Sequence, residues 1–295
     1  AHIPANLMTT VTSTATLETP TATRPRPRAS ALAAVATLAR RRFAISARTP
    51  RELLIPLLAP LLFAMVVVPA LADTFGTPVG GVDYMTFVAV ATIGLLVPLS
   101  TIQSGLGVVV DRLGGGLRDL LAAPISRPMI VAGNLVVAVA LAGLQVAVLL
   151  GAAAIRGAEY DLSATGVLWF AAATLAFTVA MYGIAEVLAN RLPSQEEYIA
   201  ALPAVAIVPF FFAGSFFPIS ALPAGLTVIG KLLPITHVLA LVRYGLAGDN
   251  GAGLHEIWGM SNPTAMASLS LGVVTLFAVA LTAAAVRTFQ RTAVR

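Results

Sequence analysis

The chain has 295 residues, of which 58% are hydrophobic and 11% charged, with a net charge of +5. A soluble domain carries about a quarter charged residues, so this composition belongs to a membrane protein. The absence of cysteine excludes disulfides, thiol catalysis and cysteine metal sites. The three histidines, His2, His237 and His255, are too scattered to suggest a metal centre.

Residues 1–29 are rich in Thr, Pro, Ala and Arg, with Pro25 and Pro27 alternating with Arg24, Arg26 and Arg28. Such a segment buries too little apolar surface to offset its ordering entropy, so it reads as a disordered tail. Met8 reads as the natural start, with residues 1–7 an added remnant. Residues 30–295 form the membrane domain. From Ser30 to Arg51, Leu32, Val35, Leu38, Phe43 and Ile45 interleave with Arg40, Arg41, Arg42 and Arg48. This pattern suits an interfacial helix with its arginines toward anionic headgroups; a basic flank anchoring the first span is the plainer alternative.

Six uncharged runs follow: Leu53–Ala72, Met85–Val110, Pro128–Ile155, Leu162–Ala185, Tyr198–Gly230 and Ala265–Val286. Each reaches the roughly 20 residues that cross a ~30 Å hydrocarbon core. The fifth would extend about 50 Å as a straight helix, and Pro218, Pro223 and Pro234 punctuate its far end. A span over 198–217 and a broken re-entrant hairpin over about 218–235 fit better, because irregular backbone at membrane depth needs a protein or water-filled surround. With six spans, fifteen Lys and Arg fall on the side of both termini and three on the other. This asymmetry places both termini in the cytoplasm and the hairpin outside.

Two motifs are decoys. Arg40-Arg41-Arg42-Phe43 followed by Ala70-Leu71-Ala72 loosely imitates a cleaved signal, but the apolar run between them is longer than a signal core. Gly225 to Lys231 spells G-x-x-x-x-G-K, yet Leu232 replaces the Ser or Thr that would hold magnesium. The chain has no H-E-x-x-H and no G-x-S-x-G.

The most informative segment is the cytoplasmic loop from Asp111 to Pro128. Gly114, Gly115 and Gly116 break the second span. Leu117, Leu120 and Leu121 then share one helical face, Arg118 and Asp119 another, and Pro124 stops the helix. The exposed apolar face needs a cover, either a partner, the membrane surface or the protein itself.

This loop resembles the signature of type-2 ATP-binding-cassette (ABC) export permeases, especially the daunorubicin-resistance type. The shared positions are Asp111, Arg112, Gly115, Leu117, Leu120 and Pro124, followed by Ile125-Ser126-Arg127. Leu113 and Gly116 depart from the family's usual acid and Thr. A second block is similar as well: Gly214, Phe216, Phe217, Pro218, Leu222, Pro223, Pro234 and Arg243. Arg48-Thr49-Pro50, leading into Pro56 and Pro60, is a third and weaker match.

The resemblance implies an all-α integral membrane fold with a cytoplasmic coupling helix that docks on a separate ATPase. It implies an extracellular re-entrant hairpin as well. ATP and Mg would bind in the partner ATPase, leaving no cofactor and no catalytic residue in this chain. A second permease, identical or homologous, would complete a dimer in a bacterial plasma membrane. Implied cargo is a small hydrophobic or amphiphilic drug, antibiotic or lipid, as in multidrug efflux, with sugar polymers the variant; no nucleic acid is implicated. An ion-coupled secondary transporter or a channel is the alternative. Against proton coupling, the spans as drawn contain no carboxylate, Glu186 lying at the cytoplasmic end of the fourth. Phe210, Phe211, Phe212, Phe216 and Phe217 line an exit gate or face lipid. Gln103 and Gln145 contact substrate or bond between helices. Gly143, Ala147 and Gly151 form a small-residue stripe read as a helix-packing face.

Overall fold

The computed structural model describes residues 33, 35–40, 44, 57–76, 79, 81–116 and 126–292. These residues are almost wholly helical. Among the described residues, six helices are long and apolar enough to cross a membrane. They are α1 (Leu57–Phe75), α2 (Tyr84–Leu113), α3 (Arg127–Ile155), α4 (Ala164–Arg191), α5 (Gln195–Phe212) and, last in the chain, α9 (Pro263–Thr292). Between α5 and α9 lie the shorter α6 (Ala224–Leu232), α7 (Pro234–Leu246) and α8 (Ala252–Trp258). Of the interfacial helix expected over 30–51, residues 35–40 are helical. The Arg48-Thr49-Pro50 match and the tail lie outside the described residues.

Helix α2 is the centre of the bundle. Its apolar residues run all round, the pattern of a helix buried on every side. Asp83 caps it by accepting from the Thr86 amide at 3.2 Å. It packs on α3, α4 and α7. Where it meets α7, Gly94 is needed: a methyl there would lie 2.9 Å from Leu239. A close backbone approach joins α4 to α7, with Gly166 facing Gly245. A methyl on Gly245 would lie 2.5 Å from the Gly166 carbonyl oxygen.

Helices α1 and α5 are different. Both are mostly exposed, and both widen into a π turn in mid-helix, Phe63–Val67 in α1 and Pro203–Ile207 in α5. Near the other end of α5, Tyr198 is buried and donates from its hydroxyl to the Ile102 carbonyl of α2 at 2.7 Å. Gly105 leaves the room that this hydroxyl occupies.

Several boundaries differ from the hydropathy runs. Helix α2 runs on to Leu113 and α4 to Arg191, because polar residues extend a helix past the hydrocarbon without breaking it. Helix α5 ends at Phe212, ahead of Phe217, where the chain turns through Gly214. The Gly143, Ala147 and Gly151 stripe is exposed, and both glycines face open space. The packed face of α3 is instead Ala138, Ala142, Gln145, Val146 and Leu149. A small-residue stripe packs only where another helix arrives opposite it.

Candidate functional site

Beyond α5 the chain makes a tight turn. Gly214 has φ +75°, and a methyl there would lie 2.7 Å from Ile219, so both backbone and packing call for glycine. Ser215 is buried and its hydroxyl donates to the Phe210 carbonyl at 2.5 Å. Pro218 opens a short 3-10 turn, Ile219–Ala221, and Pro223 opens α6. The Glu256 carboxylate of α8 holds this turn, accepting from the Ile219 amide and the Ser220 hydroxyl, each at 2.9 Å. Helices α6 and α7 then meet at 79° across Leu233. Pro234 causes the break, since its ring cannot continue α6 and its missing N–H costs nothing at the start of α7.

Arg243 locks this assembly together. It lies buried on α7 with its guanidinium 3.5 Å above the Phe87 ring of α2. It donates to the Gly214 carbonyl at 2.9 Å and the Ser215 carbonyl at 3.2 Å, while its Nε has no partner. A delocalised cation of this kind gains from ring stacking and from carbonyl dipoles together. Nearby, Tyr84 donates to the Phe216 carbonyl at 3.1 Å. The loop after α7 adds Asp249, whose carboxylate accepts from the amides of Gly251 and Gly253 at 2.8 and 3.2 Å. Burial pushes the Asp249 carboxyl above its ordinary range, against the opposing pull of those amides and of Arg243.

His237 plays the structural part expected of a lone histidine. Its Nε2 faces the Lys231 carbonyl at 3.1 Å and must carry the proton. Its Nδ1 therefore accepts from the Ser270 hydroxyl at 3.1 Å, and that oxygen accepts from the Trp258 indole at 2.8 Å. This chain of bonds ties α7, α8 and α9 together.

The five phenylalanines divide. Phe210 is buried and meets Phe216 edge-on, with ring centroids 5.3 Å apart. Phe211 and Phe217 are exposed. Of the second-block positions, Gly214, Phe216, Pro218 and Pro223 are thus drawn into one turn, with Phe217 on its outer side.

At the other end of the bundle, Arg112 donates to the Leu192 carbonyl and so fastens the end of α2 to the α4–α5 turn. Asp111 lies beside it on the last turn, and Gly115 has φ +84° with open space around it. Leu117, Leu120 and Pro124 lie outside the described residues.

The sequence reading missed one site here. Glu186 is completely buried within α4, which continues past it. Its carboxylate accepts from the Tyr182 hydroxyl at 2.8 Å and the Asn190 amide at 3.1 Å. Glu186 thus lies one residue beyond the uncharged run that ends at Ala185, inside the helix that continues to Arg191. Tyr182, Glu186 and Asn190 recur every four residues, the spacing of one helix face, and that was the available signal.

Residues 33–247 match the family model described as ABC-2 type transporter. The matched region closes just past the end of α7. A protein of Porphyra purpurea named as a transport permease is 27% identical over 217 residues, 71% of this chain and 72% of that relative. The chain is a multi-pass membrane protein of the ABC-2 type transporter family, a permease subunit of an ABC transporter.

Proposed function

We propose that the chain is the membrane-spanning half of an ATP-driven exporter of the daunorubicin-resistance type, moving hydrophobic or amphiphilic cargo outward. Family membership carries this reading. It implies an ABC ATPase and a second permease, identical or homologous. ATP and Mg bind in the ATPase.

The orientation rests on the charge count. Fifteen of eighteen Lys and Arg lie on one side of the six-span topology, and that side faces the cytoplasm. Asp111, Arg112, Gly115, Leu117, Leu120 and Pro124 then form the coupling segment that meets the ATPase. The positive φ of Gly115 and the Arg112 tie to Leu192 support it, since a push on the loop reaches both α2 and the α4–α5 turn. The re-entrant hairpin, expected over about 218–235, then takes in the 3-10 turn, α6 and the break into α7, on the outer side. Its 79° break and its bolting through Arg243 and Glu256 support that reading. In this scheme Gly214, Phe216, Phe217, Pro218 and Pro223 form the outer gate. Closure of the ATPases on ATP shifts α2 and α5 and opens it. The apolar lining favours drug-like or lipid-like molecules.

The test is purification of the tagged chain from its native cells in mild detergent, followed by mass spectrometry. A stoichiometric chain with Walker-type ATPase motifs is expected, and Leu120→Asp should lose it while keeping a normal elution profile. Retention of the ATPase by Leu120→Asp would remove the coupling assignment. Failure of any ATPase to accompany the parent chain in several mild detergents would remove the pump reading.

A further inference from the structure

Helices α4 and α9 touch closely at Gly183, where a methyl would lie 2.8 Å from Leu281. On one flank of this contact they leave an open trough of 810 Å³. The trough exists because its walls lack bulk: Ala172 and Ala176 come from α4, Ala278 and Ala283 from α9. Its lining is aliphatic from Leu271 onward, apart from two threonines, and it ends at Arg287. Those sixteen helical steps cover about 24 Å at ~1.5 Å per residue. One leaflet offers about half of a ~30 Å core, so the trough is long enough to take a lipid chain along its whole leaflet.

Charge decides what fits. Arg287 is exposed at the end of the trough, and Arg291 follows one turn later on the same helix face. Helix α9 contains no Asp or Glu to neutralise them. On α4, Glu186 is turned inward to Tyr182 and Asn190. An apolar channel at membrane depth that ends in two arginines with no acidic partner among the described residues complements an amphiphile with an anionic head. We propose that this trough holds a resident anionic phospholipid, one acyl chain along the alanine walls and its phosphate against Arg287 and Arg291. This lipid is distinct from any cargo, and the assignment depends only on the chain lying in a bilayer.

The experiment is native mass spectrometry of the purified full chain, titrated with phosphatidylglycerol or phosphatidylcholine of identical acyl chains. The parent should retain phosphatidylglycerol in preference. Arg287→Gln should reduce that preference about fivefold, and Arg287→Gln with Arg291→Gln about 25-fold, the worth of one and two cations near an anionic headgroup. Ala278→Phe, which fills the trough, should reduce both lipids equally, and the smaller Ala176→Leu should do so more weakly if the first variant folds poorly. Equal retention of the two lipids by the parent overturns the proposal. So does a preference that survives loss of both arginines, which places the lipid elsewhere. If Ala278→Phe leaves lipid binding intact but disrupts association between copies of the chain, the trough is a protein contact and the proposal fails.

Discussion

Helices α2 and α5 both carry proline in their interior, Pro98 in α2 and Pro203 and Pro209 in α5, and the helices differ in what surrounds them. Pro98 of α2 is buried, with α7 pressed against the preceding turn at Gly94. There the helix keeps α geometry from Tyr84 to Leu113, and the Thr101 hydroxyl bonds back to the Val97 carbonyl at 2.8 Å. Pro209 of α5 follows a π turn in which the Val208 N–H reaches back to the Pro203 carbonyl. Helix α1 repeats the arrangement: the Val68 N–H reaches the Phe63 carbonyl, and Pro69 follows, itself buried although most of α1 is exposed. The local sequences match, Val67-Val68-Pro69 and Ile207-Val208-Pro209. A missing donor is the same defect in all three helices. Helix α2, packed along its length, keeps its register, whereas α1 and α5, each mostly exposed as a whole helix, absorb the defect by widening one turn. The fold thus has a rigid centre built on α2, α4 and α7, and two outer helices with a soft point in the middle.

That contrast can be broken most severely at Arg243. Arg243→Leu removes two charge-assisted bonds, leaves the Gly214 and Ser215 carbonyls without that donor, and strips the cation from Phe87. A loss of about 3 kcal/mol is expected, seen as earlier thermal unfolding followed by tryptophan fluorescence in detergent. Arg243→Lys should recover only part, because an ammonium cannot reproduce the planar fork. A leucine variant as stable as the parent would mean that Arg243 does not bolt the turn to α7.

Glycines sharpen the comparison at a smaller scale. Gly166→Ala forces a methyl onto the Gly245 carbonyl oxygen, where backbone cannot yield. It should cost about 2 kcal/mol and lower the folded yield in size-exclusion chromatography. Gly143→Ala, in open space on α3, should change stability by no more than about 0.5 kcal/mol in either direction. Equal effects would show that the centre is no tighter than the periphery.

The smallest effect is expected at the prolines. Pro209→Ala supplies an N–H that can reach the Val205 carbonyl and close the π turn. Amide exchange across 203–208 should slow about tenfold, the worth of one backbone hydrogen bond. Pro98→Ala should leave exchange in α2 nearly unchanged, since packing already sets its register. Similar slowing in both helices would remove the distinction between them.

The hydropathy runs disclose the six spans because a helix must stay apolar for the whole bilayer crossing. Length also discloses the break after α5, since Tyr198–Gly230 is too long for one crossing. What sequence conceals depends on neighbours. Arg243 stands in the sequence only as a position of the second block, and its role is invisible until Phe87 and the Gly214 turn arrive around it. Glu186 looks terminal because hydropathy ends at Ala185, although its four-residue spacing to Tyr182 and Asn190 was readable. The closely approached Gly166 and Gly245 are unremarked in the sequence, while the conspicuous Gly143 and Gly151 face nothing. Local spacing reports which residues share a face, and only tertiary packing reports what that face meets.

In the proposed scheme the loop after α2 transmits the work of a separate ATPase. The chain has no cysteine, so one introduced thiol is unique. The direct measurement is disulfide or short-linker crosslinking of Leu120→Cys in native membranes, with Gly143→Cys on the exposed face of α3 as control. The account predicts an ATP-modulated crosslink from position 120 to a Walker-type ATPase and none from position 143. A position 120 that never reaches such a subunit, or reaches it no more than position 143 does, would contradict it.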